Sequence, residues 1–453
     1  MTPATSPDLR KALEAIIRGH IHFNDSEGYD DARRVWNGMI DRRPAAIVRV
    51  AGVADVIACV NFARTNSLPL AIRCGGHNVS GNAVCDGGIV IDLSAMKSVR
   101  VDQANRTAHA GGGLTWREYD YETQAFGLAS TGGAISSTGI AGLTLGGGYG
   151  HLARQYGMAC DHLLSADVVT AAGESVTASP ASHPDLFWAL RGGGGNFGVV
   201  TSFEFQLHPV GEATSGIIAF PFDMAKPVLQ RYRDLSLEAP DEMTLLAGVL
   251  PAPDGSKIAG IVVSHFGSDQ DAQRAIRPIR ELGNVVMDSV ARVPYCAVQA
   301  QLDPSYPKGM RNYWKSAFFR QLPDEVIEAM IEAVRVSPSP MNHVILESYG
   351  GAIRRVPKDA TAFDQRDVQF NMLILGLSPD ASTDQDQIAW ARRVWQTVAP
   401  HSTGGSYVNY HTADEDVRTS YDGARLDRLA KIKAFYDPGN LFRFNQNIPP
   451  AKG

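Results

Sequence analysis

Arg73-Cys74-Gly75-Gly76-His77-Asn78-Val79-Ser80-Gly81 is a compact group of residues equipped for chemistry. Two glycines let backbone amides approach a ligand with no Cβ in the way. Successive N–H groups in such a turn form a concave nest suited to a pyrophosphate. Asn78 and Ser80 add side-chain donors, and His77 is pushed out toward whatever the phosphates carry. Most Gly-Gly-His triplets are only surface turns, so its company further along the chain decides. Thr131 to His151 is the most glycine-dense part of the chain. It alternates glycine with Ile, Leu and Tyr, which linkers rarely do. We read it as a non-helical backbone wall on which a flat ligand can lie. Arg191-Gly192-Gly193-Gly194-Gly195-Asn196-Phe197-Gly198 follows. Gly193, Gly195 and Gly198 fit G-x-G-x-x-G, yet a dinucleotide fingerprint needs a strand before it and a helix after it. The order here is helix, loop, strand, so this is a second backbone contact to the same ligand and not an NAD site.

The elements that must position these residues follow from periodicity. Ala45 to Val50 and Leu68 to Arg73 have strand composition. Between them Val53, Val56, Ile57, Val60 and Ala63 recur at helical spacing. This is a β-α-β unit that delivers the His77 turn. Residues 8 to 19 suggest a short helix, Gly88 to Leu93 a strand, Val99 to Ala110 a hairpin and Leu114 to Phe126 a helix. Leu163 to Thr170, Ser175 to Ala178 and Val199 to Leu207 suggest strands, and His183 to Leu190 a helix. Near residue 210 the glycine clusters stop. Strands are expected at Gly216 to Phe220, Met243 to Leu250, Ile258 to Phe266, Ala317 to Gln321, His343 to Glu347 and Phe370 to Leu375. Helices at about 225–238, 269–282, 324–336 and 384–398 separate them, which suits a mostly antiparallel sheet in an α+β layer. Ser406 to Tyr410 is expected as a short strand with both tyrosines on one face. Leu426 to Phe435 is expected to be helical, and Phe442 to Ile448 forms a polar-aromatic tail.

Composition narrows the function. The 453 residues are 44% hydrophobic and 20% charged, so the chain is globular and long enough for two or three domains. Net charge is −6 with a pI of about 6.1, and no basic run exceeds a pair or so, which argues against nucleic acid as a partner. No apolar run approaches the roughly 20 residues of a membrane helix. Met1 to Lys11 has neither an apolar signal core nor a twin arginine, so a cytoplasmic location is expected. Five cysteines lack Cys-x-x-Cys or zinc spacing, so neither a disulfide framework nor a metal is expected. Cys74, beside the turn, is read as a small buried thiol.

Arg73 to Gly81, Gly139 to Gly157, Asp185 to Thr201, Tyr407 to Tyr410 and Tyr436 to Ile448 together resemble the berberine-bridge-enzyme-like branch of the vanillyl-alcohol-oxidase flavoproteins. The resemblance spans nearly the whole chain. It implies an α+β fold, with a two-part FAD-binding domain at 1–210 and 401–453 and a substrate-binding domain at 211–400, an antiparallel sheet flanked by helices. The change of composition near 210 agrees. The resemblance also implies that His77 bonds covalently to the flavin's 8-methyl carbon. Arg73, Gly75 and Gly76 would belong to the same FAD-binding turn. Asn78, Val79, Ser80 and Gly81 would line the pyrophosphate. Thr138, Gly139, Gly142, Gly147 and Tyr149 would follow the flavin and ribityl chain, Gly198 and Val200 the adenine side, and Asn445 and Asn447 would close the pocket. Many members carry a second, cysteinyl anchor; here that neighbourhood is Ala134-Ile135-Ser136-Ser137, so a single histidyl attachment is expected, as in bacterial monocovalent members. The missing cysteine goes with a less open site, which makes oligosaccharide substrates less expected.

The implied reaction moves hydride from an alcohol or amine C–H of a small molecule to flavin N5 while a base takes the adjacent proton. Tyr410 is the first candidate for that base. A tyrosine is a poor base at its reference pKa of about 10, so it would need a cationic neighbour, with Lys315 or Arg366 as candidates. Some members use a glutamate on a late strand of the substrate sheet, but Gln369 to Leu375 holds no carboxylate, and Glu347, on another strand, is read as structural. O2 is the expected acceptor. A dehydrogenase using another acceptor and an oxidative cyclase or desaturase are the alternatives. Substrate identity and oligomeric state are not encoded in any motif.

Overall fold

The computed structural model describes residues 7–252 and 255–452; residues 1–6 of the N-terminal stretch lie outside the described residues. Among the described residues three larger sheets organise the chain, beside a two-stranded pair of His208–Pro209 with Leu128–Ala129. In the first, His20–Phe23, Ala46–Arg49, Ile89–Asp92 and Leu70–Arg73 lie side by side in that order. The last three are parallel, and Ile89–Asp92 inserts between the two strands joined by the helix Val53–Thr65. That helix buries Val56, Cys59, Val60 and Ala63, the face that its periodicity marks. Its entry is fixed by the buried Asp55 carboxylate, which accepts hydrogen bonds from the amides of Arg18, Gly19 and Ala51.

The second sheet is antiparallel and holds Val99–Asp102, Thr107–Gly111, Val199–Gln206, Leu163–Val169 and Ser175–Ala178 in that order. The third has eight antiparallel strands. Its central part runs Glu212–Pro221, Lys257–His265, Met243–Pro251, His343–Ser348, Phe370–Ser378 and Arg311–Phe319. The helices Ala225–Glu238, Asp269–Arg280, Asp324–Arg335 and Asp384–Val398 cover one face of it. Strand alternation sorts the side chains. Leu245, Ala247, Val344, Leu346, Met372 and Ile374 join the helix-side core. Leu246, Ile345, Glu347, Leu373 and Leu375 face the other way, into a cavity.

Three local expectations are corrected. The glycine-dense segment contains the helix Ile140–Leu145, because Ile140, Ala141, Thr144 and Leu145 are buried along one side of it. The strand expected from Ala317 begins earlier and spans Arg311–Phe319; its polar start, Arg311 to Asn312, hid it. Residues 408–410 are a 3-10 turn and not a strand, closed by Tyr410 N donating to Tyr407 O at 2.8 Å. A 3-10 turn eclipses positions i and i+3, which sets Tyr407 and Tyr410 ring to ring at 4.8 Å.

The C-terminal helix Gly423–Tyr436 returns to the second sheet through Leu429 and Ile432. Its fully buried Lys433 ammonium donates to Asp437 Oδ2 at 2.7 Å, Asn196 O at 2.6 Å and Phe442 O at 2.9 Å. Asp437 in turn accepts the amides of Leu441 and Phe442. This pair ties the tail to the Arg191–Gly198 loop. Lys433→Met removes one partner of a buried ion pair and should lower unfolding free energy by about 3–5 kcal/mol, read by urea denaturation; a loss under 1 kcal/mol would refute the tie.

Burial depresses four histidines outside the cavity, His151, His162, His343 and His411, each to about 4. Between pH 6.5 and 4 the unfolded chain then binds more protons than the folded one, so stability falls as pH falls through that window. The loss approaches about 3 kcal/mol per histidine at its lower end. Thermal melts taken from pH 7 to pH 4 should show a progressive fall in Tm starting near pH 6.5; a flat profile would mean that these imidazoles are charged in the fold.

Candidate active site

The His77 turn meets the glycine-dense segment backbone to backbone. A Cβ on Gly75 would run into the Gly139 nitrogen, and one on Gly139 into Cys74 Sγ. That approach lays His77 against Ser137 and Thr138. Its Nε2 lies 3.0 Å from Ser137 Oγ and its Nδ1 3.5 Å from Thr138 Oγ1. The Trp36 indole stacks on the imidazole at 5.0 Å and 19°. Burial holds His77 down at about 4, with Asp303 opposing and Lys308 assisting, so the ring is neutral at physiological pH and keeps a nucleophilic lone pair. Burial pushes the neighbouring Cys74 thiol up to about 11, which leaves it inert.

His77 opens into this cavity. Of the residues singled out in the sequence, Gly75, Gly76, His77, Asn78, Thr138, Gly139, Gly142, Tyr149, Gly198, Val200, Asn445 and Tyr410 line it. Arg73, Val79, Ser80, Gly81, Gly147, Lys315 and Asn447 do not, and each has a physical reason. The buried Arg73 guanidinium is committed to Asp92, at 2.8 Å, and to the Ala32 carbonyl. Val79 is buried and its carbonyl accepts from Asn37 Nδ2. Ser80 Oγ donates to His411 O. The Ile40 side chain packs against Gly81, and the Phe363 ring against Gly147. Asn447 lines a separate, adjoining cavity with Ser80.

At the far end of the cavity Tyr410 Oη donates to Glu347 Oε1 at 2.6 Å, and Asn371 Nδ2 donates to Oε2 at 2.7 Å. Burial pushes the Glu347 carboxyl up to about 7, against both hydrogen bonds. Burial and the adjacent Glu347 charge push the Tyr410 phenol well above its ordinary value. The cations expected beside Tyr410 are elsewhere. Lys315 shares a strand face with Tyr313 and Ala317 of the helix-side core, and its ammonium pairs with Asp414 and Glu415. Arg366 forms a bidentate pair with Asp161, both contacts at 2.7 Å. The partner of Tyr410 is therefore a carboxyl group and not a cation. Glu347, read as structural from the sequence, is buried at the cavity wall. The signal for it was present: it is the one ionisable carboxylate on the His343-Ile345-Glu347 face of an apolar strand.

Around this pair the walls are Leu246, Leu302, Tyr306, Trp314, Ile345, Leu373 and Leu375. Trp314 meets Tyr410 edge-on at 5.7 Å. Tyr149, stacked on Tyr349 at 4.8 Å, and Tyr407, whose Oη accepts from Gly148 N at 2.7 Å, form the junction between the glycine segment and the third sheet. These apolar positions carried no motif and could be found only through the fold.

Two family models match the chain: an FAD-binding domain at residues 44–179 and a berberine and berberine-like segment at residues 406–449. (R)-6-hydroxynicotine oxidase of Paenarthrobacter nicotinovorans is 33% identical, covering 97% of this chain and 98% of its own. An FAD-linked oxidoreductase of Dictyostelium discoideum is 30% identical, covering 96% of each chain. The crystal structure of 6-hydroxy-D-nicotine oxidase from Arthrobacter nicotinovorans superposes with a TM-score of 0.89 at 31% identity, covering 96% of this chain and 98% of that one.

FAD fits the residues present. Gly142 and Gly195 line the cavity, and a Cβ added to either would meet no protein atom within 4 Å, so the backbone there faces space that a flat ligand can fill. Asn445 Oδ1 and Gln446 Nε2, also at the wall, are buried without hydrogen-bond partners, as groups awaiting a polar ligand are. The chain thus belongs to the berberine-bridge-enzyme-like family of FAD-linked oxidoreductases, with α+β architecture.

Proposed function

We propose that this enzyme is an oxidase of compact, apolar alcohols or amines, that its flavin is tethered through His77 alone, and that Glu347, reached through Tyr410, takes up the substrate proton. The division of labour is that of residues 1–210 and 401–453 holding FAD and residues 211–400 supplying the substrate wall. One observation carries the reading: a single carboxyl–phenol pair stands in an otherwise apolar wall of the cavity that His77 opens into. The five cysteines are free, which suits a reducing cytoplasm. Among the described residues no helix is long and apolar enough to cross a membrane.

His77 is suited to the tether because its ring is neutral and clamped between Trp36 and Ser137. Ser136 and Ser137 occupy the neighbourhood where a second, cysteinyl anchor would stand. FAD, when bound, supplies a two-electron acceptor for the substrate's hydride, and O2 returns it to the oxidised form. The protein's part is the proton. Tyr410 Oη gives its hydrogen to Glu347, so its oxygen lone pairs are free to accept the O–H or N–H proton of a substrate. As that proton arrives, the phenol's own proton passes to Oε1, and Tyr410 is never a free phenolate. This removes the need for a cationic neighbour. A carboxyl held near 7 is close to the optimum for proton exchange at neutral pH. Leu246, Ile345, Leu373, Leu375 and Trp314 favour an apolar substrate body and exclude water from the transfer.

Acid precipitation tests the tether. The wild-type pellet should stay yellow and the His77→Ala pellet should be colourless; a colourless wild-type pellet with yellow supernatant would remove the covalent bond from the reading. Anaerobic bleaching of the holoenzyme against alcohols, amines and sugars tests the rest. Glu347→Gln should slow bleaching by the best substrate about 10²–10⁴-fold while leaving the flavin content unchanged. A slowing under threefold would eliminate Glu347 as acceptor. Peroxide formed on readmitting air marks O2 as the oxidant, and its absence marks another acceptor.

A further inference from the structure

Asn371 is an anomaly on its strand. Along the cavity face of Phe370–Ser378 it is followed by Leu373, Leu375 and Leu377, and it is itself fully buried. Antiparallel register places it directly opposite Glu347, whose other cross-strand partner is Leu246. Its Nδ2 donates to Glu347 Oε2 at 2.7 Å, while its Oδ1 has no partner. A leucine would complete the apolar row and avoid that orphaned oxygen. The amide is explained by what its nitrogen does. With Oε2 held by Asn371, Oε1 is the oxygen left for Tyr410.

We propose that Asn371 is a positioning residue that holds Glu347 as a carboxylate with Oε1 turned to Tyr410. This rests on the reading of Glu347 as proton acceptor. The titratable groups that interact electrostatically with Glu347 are phenols: Tyr149 from the glycine segment, Tyr306 from the loop before the strand Arg311–Phe319, Tyr349 just past the end of its own strand, Tyr407 and Tyr410 at the two ends of the 3-10 turn, and Tyr232 from the helix side. The nearby cations are committed elsewhere: Lys315 to Asp414 and Glu415, Arg366 to Asp161, and Arg154 to the carbonyls of Met243, Tyr349 and Ala239. Besides Tyr410, Asn371 is the donor that stabilises the charged form. A hydrogen bond to the charged form lowers a carboxyl's pKa, so its removal should keep Glu347 protonated to higher pH.

The test is an infrared titration of the purified holoenzyme, following the protonated-carboxyl C=O band that disappears in Glu347→Gln. Asn371→Leu should move the midpoint of that band up by about one pH unit at unchanged flavin content. Asn371→Asp, nearly the same shape, should move it up further, because two adjacent carboxyls then share a proton. If Asn371→Leu fails to fold, Asn371→Asp decides. An unshifted midpoint in a folded, flavin-loaded variant overturns the proposal, as does a titration in which Glu347→Gln removes no carboxyl band. A Glu347→Gln enzyme that bleaches at the wild-type rate overturns the acceptor role instead, and does so whether or not the midpoint shifts.

Discussion

The close approach of two glycine backbones, at Gly75 and Gly139, is the constraint on which the site depends. It permits the turn after Leu70–Arg73 to touch the segment before the helix Ile140–Leu145 with no side chain between them. Everything that defines His77 follows from that contact. Ser137 and Thr138 come within reach of the ring, Trp36 closes over it, and burial keeps it uncharged. A methyl group at either glycine would separate the two segments and with them the imidazole from its hydroxyl partners. The choice of glycine is therefore a packing requirement before it is a ligand requirement.

The opposite wall obeys a different rule. The third sheet presents an oily face to the cavity, and an apolar surroundings raises the cost of any charge placed there. Glu347 accepts that cost in exchange for two hydrogen bonds, from Tyr410 and Asn371, and for a carboxyl that titrates near neutrality. The two walls are complementary. One supplies backbone amides, small residues and a neutral imidazole, and the other supplies apolar surface and one carboxyl group. The Tyr407–Tyr410 turn joins them: Tyr407 holds Gly148 of the glycine segment, and Tyr410 holds Glu347 of the sheet.

The chain ends are bound into this arrangement by the buried Lys433–Asp437 pair. All three ammonium protons have acceptors, one of them the carbonyl of Asn196 in the Arg191–Gly198 loop. That contact explains why the tail's Asn445 and Gln446 reach the cavity although they lie some 250 residues from the loop that they touch.

The sequence by itself determined the glycine-rich wall of the cavity. Glycine spacing, His77 and the tail asparagines are local signals, because a ligand cradle made of backbone must be written as missing side chains in consecutive residues. Helix and strand periods were legible for the same reason, since each reports one element's own buried face. Only the tertiary structure decided the apolar wall opposite it. Arg73 and Lys315 carry charges that look chemical in sequence, yet the fold turns Arg73 to Asp92 and Lys315 to Asp414 and Glu415. Glu347 was read as structural and Asn371 carried no signal, yet antiparallel register sets them side by side at the Tyr410 hydroxyl. The physical reason is that the chemistry of a carboxyl group is set by its neighbours and its burial. Those neighbours come from residues 246, 314, 371 and 410, which only the pairing of distant strands brings together.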